Sequence, residues 1–166
     1  NGNLIPSGPL REKISSLRKY DAVFLKKDGE QLEEIKDIIK KINPNIRIFN
    51  SLYKILNTNK FDFSKNYLIV SGIGNPKGFK KILLNNKFNI VDEIIFPDHY
   101  NYKKKDIDYI KQRAKNIKAE IVTTEKDYVK IKEFENNNIK SIEVNLEIEN
   151  KMDLINFLKS KLYEIY

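Results

Sequence analysis

Four consecutive apolar residues, Tyr67-Leu68-Ile69-Val70, run directly into the polar stretch Ser71-Gly72-Ile73-Gly74-Asn75-Pro76. A strand that is apolar on both faces has no side left for water, which suits the centre of a parallel sheet covered by helices on both faces. Asn75 then reads as an N-cap with Pro76 at the first helical position, ahead of a helix carrying Phe79, Ile82 and Leu83. The same strand-to-helix grammar recurs along the chain. Asp21 to Lys26 reads as a strand. Asp28-Gly29 turns it into a helix with Leu32, Ile35, Ile38, Ile39 and Ile42 on one face, closed by Asn43-Pro44. Ile46 to Leu56 is a second strand, with an irregularity expected near Ser51. Val91 to Phe96 is another, and its following helix, 104–118, buries Ile107, Ile110, Ala114 and Ile117.

Glu120-Ile121-Val122 is a further central strand, and Thr124 with Asp127 three residues on has the form of a capping box. Ile139 to Leu146 reads as one last, alternating edge strand, and Asn150 as the cap of a helix bearing Leu154, Ile155, Leu158 and Leu162. At the start, Pro9 with Ser7 or Gly8 as cap is expected to begin a short helix through Leu10, Ile14 and Leu17. Strand and helix alternate with short connections. That order implies βαβ units and an α/β fold: a mostly parallel sheet with helices on both faces, an α/β/α sandwich.

A chain of 166 residues is one ordinary domain by size. It has no cysteine, which excludes disulfide frameworks, thiolate metal sites and cysteine nucleophiles. No apolar run approaches the roughly 20 residues that span a bilayer, and no signal-peptide pattern opens the chain. The net charge of +8 asks for an anionic partner, though lysine, asparagine and isoleucine are abundant everywhere rather than in one patch. Asn1-Gly2-Asn3 lacks a methionine and opens in the middle of a loop, so the sequence reads as a cut chain.

In an open parallel sheet, ligands bind beyond the carboxyl ends of the strands. Three consecutive strands here end in unusual polar sequences: Ser71 to Pro76, Pro97-Asp98-His99, and Thr123-Thr124-Glu125-Lys126-Asp127. The glycine loop is expected to send backbone N–H groups and a helix N-terminus toward that rim, a setting that favours anions; a tight strand-to-helix turn would need the same residues. It is neither a Walker A loop, since Gly-Lys-Ser/Thr is missing, nor the full dinucleotide fingerprint. Capping explains Thr124 and Asp127, while Glu125 and Lys126 are left to solvent or to a site. His99 is the sole histidine, the one residue type whose unperturbed side chain changes charge near neutral pH. Adjacent residues on a strand point to opposite sides, so Asp98 and His99 share a cleft only if a turn begins at Pro97. They then form an acid/base pair, or His99 tunes a carboxylate elsewhere. Arg11 and Glu12 follow Ser7-Gly8-Pro9 in an expected first helical turn, as an exposed ion pair or as phosphate or metal-shell contacts.

Taken together, these segments resemble the tetraacyldisaccharide 4'-kinases of lipid A biosynthesis. Gly2 with Leu4 to Glu12 is similar to that family's Gly-x-Leu-Leu-Pro-Ala-Gly-Pro-Leu-Arg-Glu, with Ser7 in place of alanine. Ser71 to Phe79 resembles its Ala/Ser-Gly-Ile-Gly-Asn-Pro-x-x-Phe, Phe96 to His99 its Phe-Pro-Asp-His, and Thr123 to Asp127 its Thr-Thr-Glu-Lys-Asp. Tyr100 stands where a second histidine is common. The resemblance implies the C-terminal portion of a P-loop-type kinase. Residues 1–20 would connect from an N-terminal P-loop half outside this sequence, and 21–166 would form the C-terminal α/β domain. It further implies ATP and Mg2+ as cofactors, a lipid A disaccharide precursor as substrate and no nucleic acid. The full-length protein would sit at the cytoplasmic face of the inner membrane, with membrane contact through the other half, and the fragment would be soluble and inactive alone. By the same resemblance His99 would pair with the catalytic aspartate and Asp98 would be the neighbouring acid. Arg11 and Glu12 would be cleft residues, and Gly72, Gly74, Asn75 and Thr123 to Asp127 signatures that shape the cleft. The alternative from another class is a basic, non-catalytic α/β module that binds nucleic acid. It needs a cationic stripe with aromatics on one face, whereas the lysines here are scattered.

Overall fold

The structure, a computed structural model, describes residues 5, 10–27, 31–134 and 138–163. The chain is α/β, built of seven strands and five α-helices among the described residues. They fall into two compact units, residues 1–52 with 146–166, and residues 53–145. This is a different partition from the expected 1–20 and 21–166.

The unit formed by residues 53–145 holds a four-stranded sheet. Strands β3 (Asn66–Ser71), β4 (Asn89–Ile95), β5 (Ala119–Thr124) and β6 (Ile139–Ile142) lie in the order β4-β3-β5-β6, all parallel. Every residue of β3 from Tyr67 to Ser71 is buried, as its unbroken apolar run requires of a central strand. Helices α2 (Pro76–Asn85), α3 (Lys104–Asn116) and α4 (Glu125–Ile131) cover the sheet. Period-two alternation divides the core. Tyr67, Ile69 and Val122 pack with Phe79 and Leu83 of α2 on one face. Leu68, Val70 and Ile121 pack with Ile107, Ile110 and Ala114 of α3 and Ile131 of α4 on the other. From β3 the chain crosses through α2 to β4 on one side, then through α3 to β5 on the opposite side. Two crossovers of one hand that run in opposite directions must lay their helices on opposite faces.

The other unit holds β1 (Ala22–Lys26), α1 (Leu32–Ile42) and α5 (Lys151–Tyr163), and shares β2 (Arg47–Ile55) and β7 (Val144–Ile148) with the first. The sheet order is β1-β2-β7. β1 and β2 run parallel from Ala22↔Arg47 to Lys26↔Ser51. The bonds from Glu149 N–H to the Asn50 carbonyl and from Leu56 N–H to the Glu143 carbonyl have numbers running oppositely, so β7 is antiparallel to β2. Phe49 of β2 is buried between Phe24 and Phe157, with ring centroids 5.8 and 5.5 Å away.

Four expectations are corrected. The helix near the start is a 3-10 turn, Ile14–Lys19, with Lys13 ahead of it; the expected first helical residue Pro9 and its cap Ser7 or Gly8 lie outside the described residues, as does the Asp28-Gly29 turn. β2 is continuous through Ser51; what changes there is the partner, since pairing with β1 stops at that residue. Ile139 to Leu146 is not one strand, because it breaks at Glu143 into β6 and β7, which belong to different sheets. On α1 only Ile39 is fully buried, and Ile35 and Ile38 are exposed despite the clean helical period.

Neighbouring leucines of α2 test the core. Leu83 is fully buried and Leu84 is half exposed. Leu83→Ala is expected to lower the unfolding free energy by about 3 kcal/mol and Leu84→Ala by less than about 0.5 kcal/mol, read by urea denaturation. Equal losses would contradict the packing described.

Candidate functional site

In the sheet order β4-β3-β5-β6 the chain reverses its direction of travel between β3 and β5, and their carboxyl ends flank the crevice where open α/β sheets bind ligands. The glycine loop leaves β3 there, the Pro97 turn follows β4, and α4 begins directly from β5. The three polar strand ends therefore share one edge of the sheet. The order also decides which two are adjacent at the switch point, namely Gly72 and Thr123 to Asp127.

Asn75 caps α2 as its sequence suggested: its side-chain oxygen accepts the Gly78 N–H at 2.9 Å, and Pro76 follows. Thr124 caps α4, its hydroxyl oxygen accepting the Asp127 N–H at 3.1 Å and donating to Asp127 Oδ2 at 2.8 Å. Asp127 does more than complete that cap. It is fully buried, and the same Oδ2 accepts the Gly72 N–H at 2.9 Å. The loop's first amide is thus committed inward, a correction to the expectation that it points to the rim. A side chain at position 72 would meet Tyr102 Oη, Asp127 Oδ1 and the Pro97 carbonyl at 3.1 to 3.3 Å, a close approach that favours glycine there. Tyr102 Oη and Asp127 Oδ1 face this point, both buried and neither closing a hydrogen bond. Burial, and then the Asp127 charge, push the Tyr102 phenol far above its ordinary range.

The turn that would let Asp98 and His99 face one side is present. The Tyr100 N–H donates to the Pro97 carbonyl at 3.2 Å, and His99 adopts a left-handed φ of 61°, a region histidine tolerates better than most residues. His99 Nε2 lies 3.8 Å from Asp98 Oδ2, and the His99 N–H donates to Asp98 Oδ1 at 2.9 Å. The imidazole is largely exposed at 77%. Lys126 Nζ stands 3.5 Å from Asp98 Oδ1, which gives that lysine a partner capping could not. Glu125 is exposed. A side chain at Gly74 would press on Asp98 Oδ2 at 3.2 Å, so the loop after β3 rests against the turn after β4. Partial burial works to raise the Asp98 carboxyl; the Lys126 ammonium, the His99 N–H and the imidazole outweigh it and hold the group below the usual aspartate range. Beneath the turn, Phe96 stacks on Tyr100 at 4.7 Å and meets Tyr102 edge-on at 5.1 Å. The Tyr100 and Tyr102 rings complete the trio at 5.5 Å. Nothing in the local sequence signals Tyr102, which is reached only through the fold.

Arg11 and Glu12 belong to the other unit, exposed in a bend ahead of the 3-10 helix instead of in a first helical turn. Glu12 Oε2 accepts the Tyr20 hydroxyl at 3.0 Å, a bond that raises the phenol's pKa. Among the described residues no group of three or more His, Asp or Glu side chains is placed to hold a metal ion, and no helix is long and apolar enough to cross a membrane.

Comparison with known proteins adds the family. The model of the tetraacyldisaccharide-1-P 4'-kinase family matches residues 1–163. A tetraacyldisaccharide 4'-kinase of Pelagibacter ubique (strain HTCC1062) is 48% identical over 158 residues, covering 95% of this chain and 50% of its own length. One from Rickettsia africae (strain ESF-5) is 40% identical over 158 residues, covering 94% of this chain and 46% of its own. Among solved structures, the "apo" form of LpxK from Aquifex aeolicus in complex with ATP superposes with a TM-score of 0.56 at 20% identity. That match covers 96% of this chain and 48% of the other, a likeness of fold. The chain spans about half the length of the relatives it matches.

The ion pair on the rim is open to measurement. Lys126→Ala is expected to move the Asp98 carboxyl titration, followed by 13C NMR, upward toward the ordinary aspartate value. A carboxyl depressed by folding stabilises the fold at neutral pH, and this contribution disappears as pH falls through its folded-state value. The stability gap between wild type and Lys126→Ala should therefore close on acidification. An unmoved Asp98 titration would rule out Lys126 as its partner.

Proposed function

The chain belongs to the tetraacyldisaccharide-1-P 4'-kinase family, and from that premise we propose that it is the C-terminal part of an ATP-dependent kinase acting on a lipid A precursor. The whole protein would transfer the γ-phosphate of ATP to the 4'-hydroxyl of a tetraacyldisaccharide 1-phosphate at the cytoplasmic face of the inner membrane. The observation that carries the reading is the rim itself. In a chain of this family, the Pro97 turn presents Asp98 and His99 together, braced by the glycine loop and Lys126 at the sheet's switch point.

ATP and Mg2+ are assigned to the part of the kinase outside this chain. The glycine loop does not carry the Gly-Lys-Ser/Thr of a Walker A motif. What this chain contributes is proton handling and positioning. His99, exposed on a turn, can share a proton with a carboxylate supplied by the other half, so that this carboxylate accepts the proton of the attacking sugar hydroxyl. Asp98, whose carboxyl Lys126 helps hold below the usual aspartate range, orients the turn by accepting the His99 N–H. Arg11 and Glu12 are assigned to the substrate's phosphate or to the metal's outer contacts. Phosphoryl transfer depends on phosphate cradle, metal and base together, so this chain alone is expected to be inactive.

The test is an ATP-dependent assay on tetraacyldisaccharide 1-phosphate. The full-length protein should turn over and the isolated 166-residue chain should not. His99→Ala in the full-length protein is expected to lower kcat by about 100-fold with little change in KM, the scale of lost acid/base assistance. Turnover by the isolated chain would overturn the divided site. An unchanged kcat would return His99 to a structural role.

A further inference from the structure

We infer that Asp127 is a positioning residue of the proposed kinase: its buried carboxylate holds the Gly72 amide and so fixes the glycine loop against which Asp98 rests. The geometry stands by itself, while its consequence for turnover rests on the kinase reading. Capping of α4 does not account for what is seen. A capping carboxylate at the third helical position ordinarily keeps one face to water, since burying its charge is costly unless paired. Asp127 is fully buried. One of its oxygens receives both the Thr124 hydroxyl and an N–H donated from 55 residues away, at the end of another strand. Its second oxygen lies buried without a donor of its own, and both it and Tyr102 Oη border the space a side chain at Gly72 would take.

The consequence passes along the rim in short steps. Gly72 is the residue at which the loop leaves β3, and two residues on Gly74 lies against the Asp98 carboxylate. The residue preceding Asp127 is Lys126, which pairs with Asp98 directly. The first turn of α4 therefore grips both rim loops at once, one through a buried hydrogen bond and one through an exposed ion pair. The buried grip, out of reach of solvent screening, sets where the loop sits; loss of it lets the loop and the turn drift relative to each other. Misplacement of groups around a reacting centre lowers turnover more than binding.

The experiment uses the full-length protein. Asp127→Leu is expected to lower kcat at least tenfold while KM for ATP and for the lipid acceptor stays within twofold. Asp127→Asn, which keeps an acceptor oxygen in place for Gly72, is expected to recover most of that loss. Gly72→Ala displaces the loop from the opposite side by pressing a methyl group into the Tyr102 and Asp127 oxygens. Combined with Asp127→Leu it is expected to be no slower than the worse single variant, because both break one contact. Asp127→Ser is polar but too short to reach Gly72, and replaces Asp127→Leu in this cycle if the leucine variant does not fold. Losses that multiply, or a kcat within threefold of wild type for Asp127→Leu, overturn the inference. Hydrogen exchange gives a reading independent of activity. The Gly72 amide should exchange at least tenfold faster in the variant while that of Leu68, mid-strand in β3, is unchanged. Equal exchange at Gly72 overturns the grip. A wild-type protein without kinase activity overturns the kinase reading instead and leaves the exchange result to judge the grip.

Discussion

The carboxylate of Asp127 is the interaction on which the rim depends. An ionised carboxylate out of water costs several kcal/mol unless donors surround it. Here they come from the Thr124 hydroxyl, the Gly72 amide and the positive end of α4, in whose first turn Asp127 lies. Two of these come from the same turn, and the third comes from the end of β3. Satisfying the charge thus ties β3 to α4 at the crevice between β3 and β5. It also crowds the space a side chain at position 72 would take and places the Tyr102 hydroxyl where its own proton is hard to remove.

From that anchor the remaining parts take their places through short-range constraints. The Phe96, Tyr100 and Tyr102 rings form a floor under the Pro97 turn, so the turn's direction is set by packing and not by its exposed tip. Lys130 adds a bond from its ammonium to the Tyr100 carbonyl at 3.0 Å. With the floor fixed, His99 holds a left-handed backbone angle that an unconstrained histidine would leave. Tyr100 is held in this stack by Phe96 and Tyr102. The chemistry proposed for His99 is thus built on apolar support as much as on charge.

Where sequence reasoning succeeded and failed follows the range of the forces involved. The α2 cap, the α4 cap and the buried faces of α2 and α3 were legible, because each depends on residues three or four apart. The break at Glu143 was not, since an alternating strand carries no mark of which sheet each half will join. Ile35 and Ile38 kept a helical period yet stayed exposed; periodicity states which face can be buried, not whether the fold brings anything against it. Arg11 and Glu12 were placed in a helix by a cap at Ser7 to Pro9, but the helical turn starts after Lys13, so the local signal set the region and missed the start.

By itself the sequence determined the alternation of strands and helices, the parallel sheet and the polar endings of three strands. It also marked the family likeness that the matching family model and relatives bear out. These are properties of patterns a few residues long, and hydrophobic periodicity with turn chemistry suffices to write them. The tertiary structure alone decided the strand order β4-β3-β5-β6, and with it that Gly72 and Asp127 would meet although 55 residues apart. It alone turned a helix cap into a buried clamp and found Tyr102. Burial of a charge depends on what the rest of the chain packs over it, and no local pattern records that.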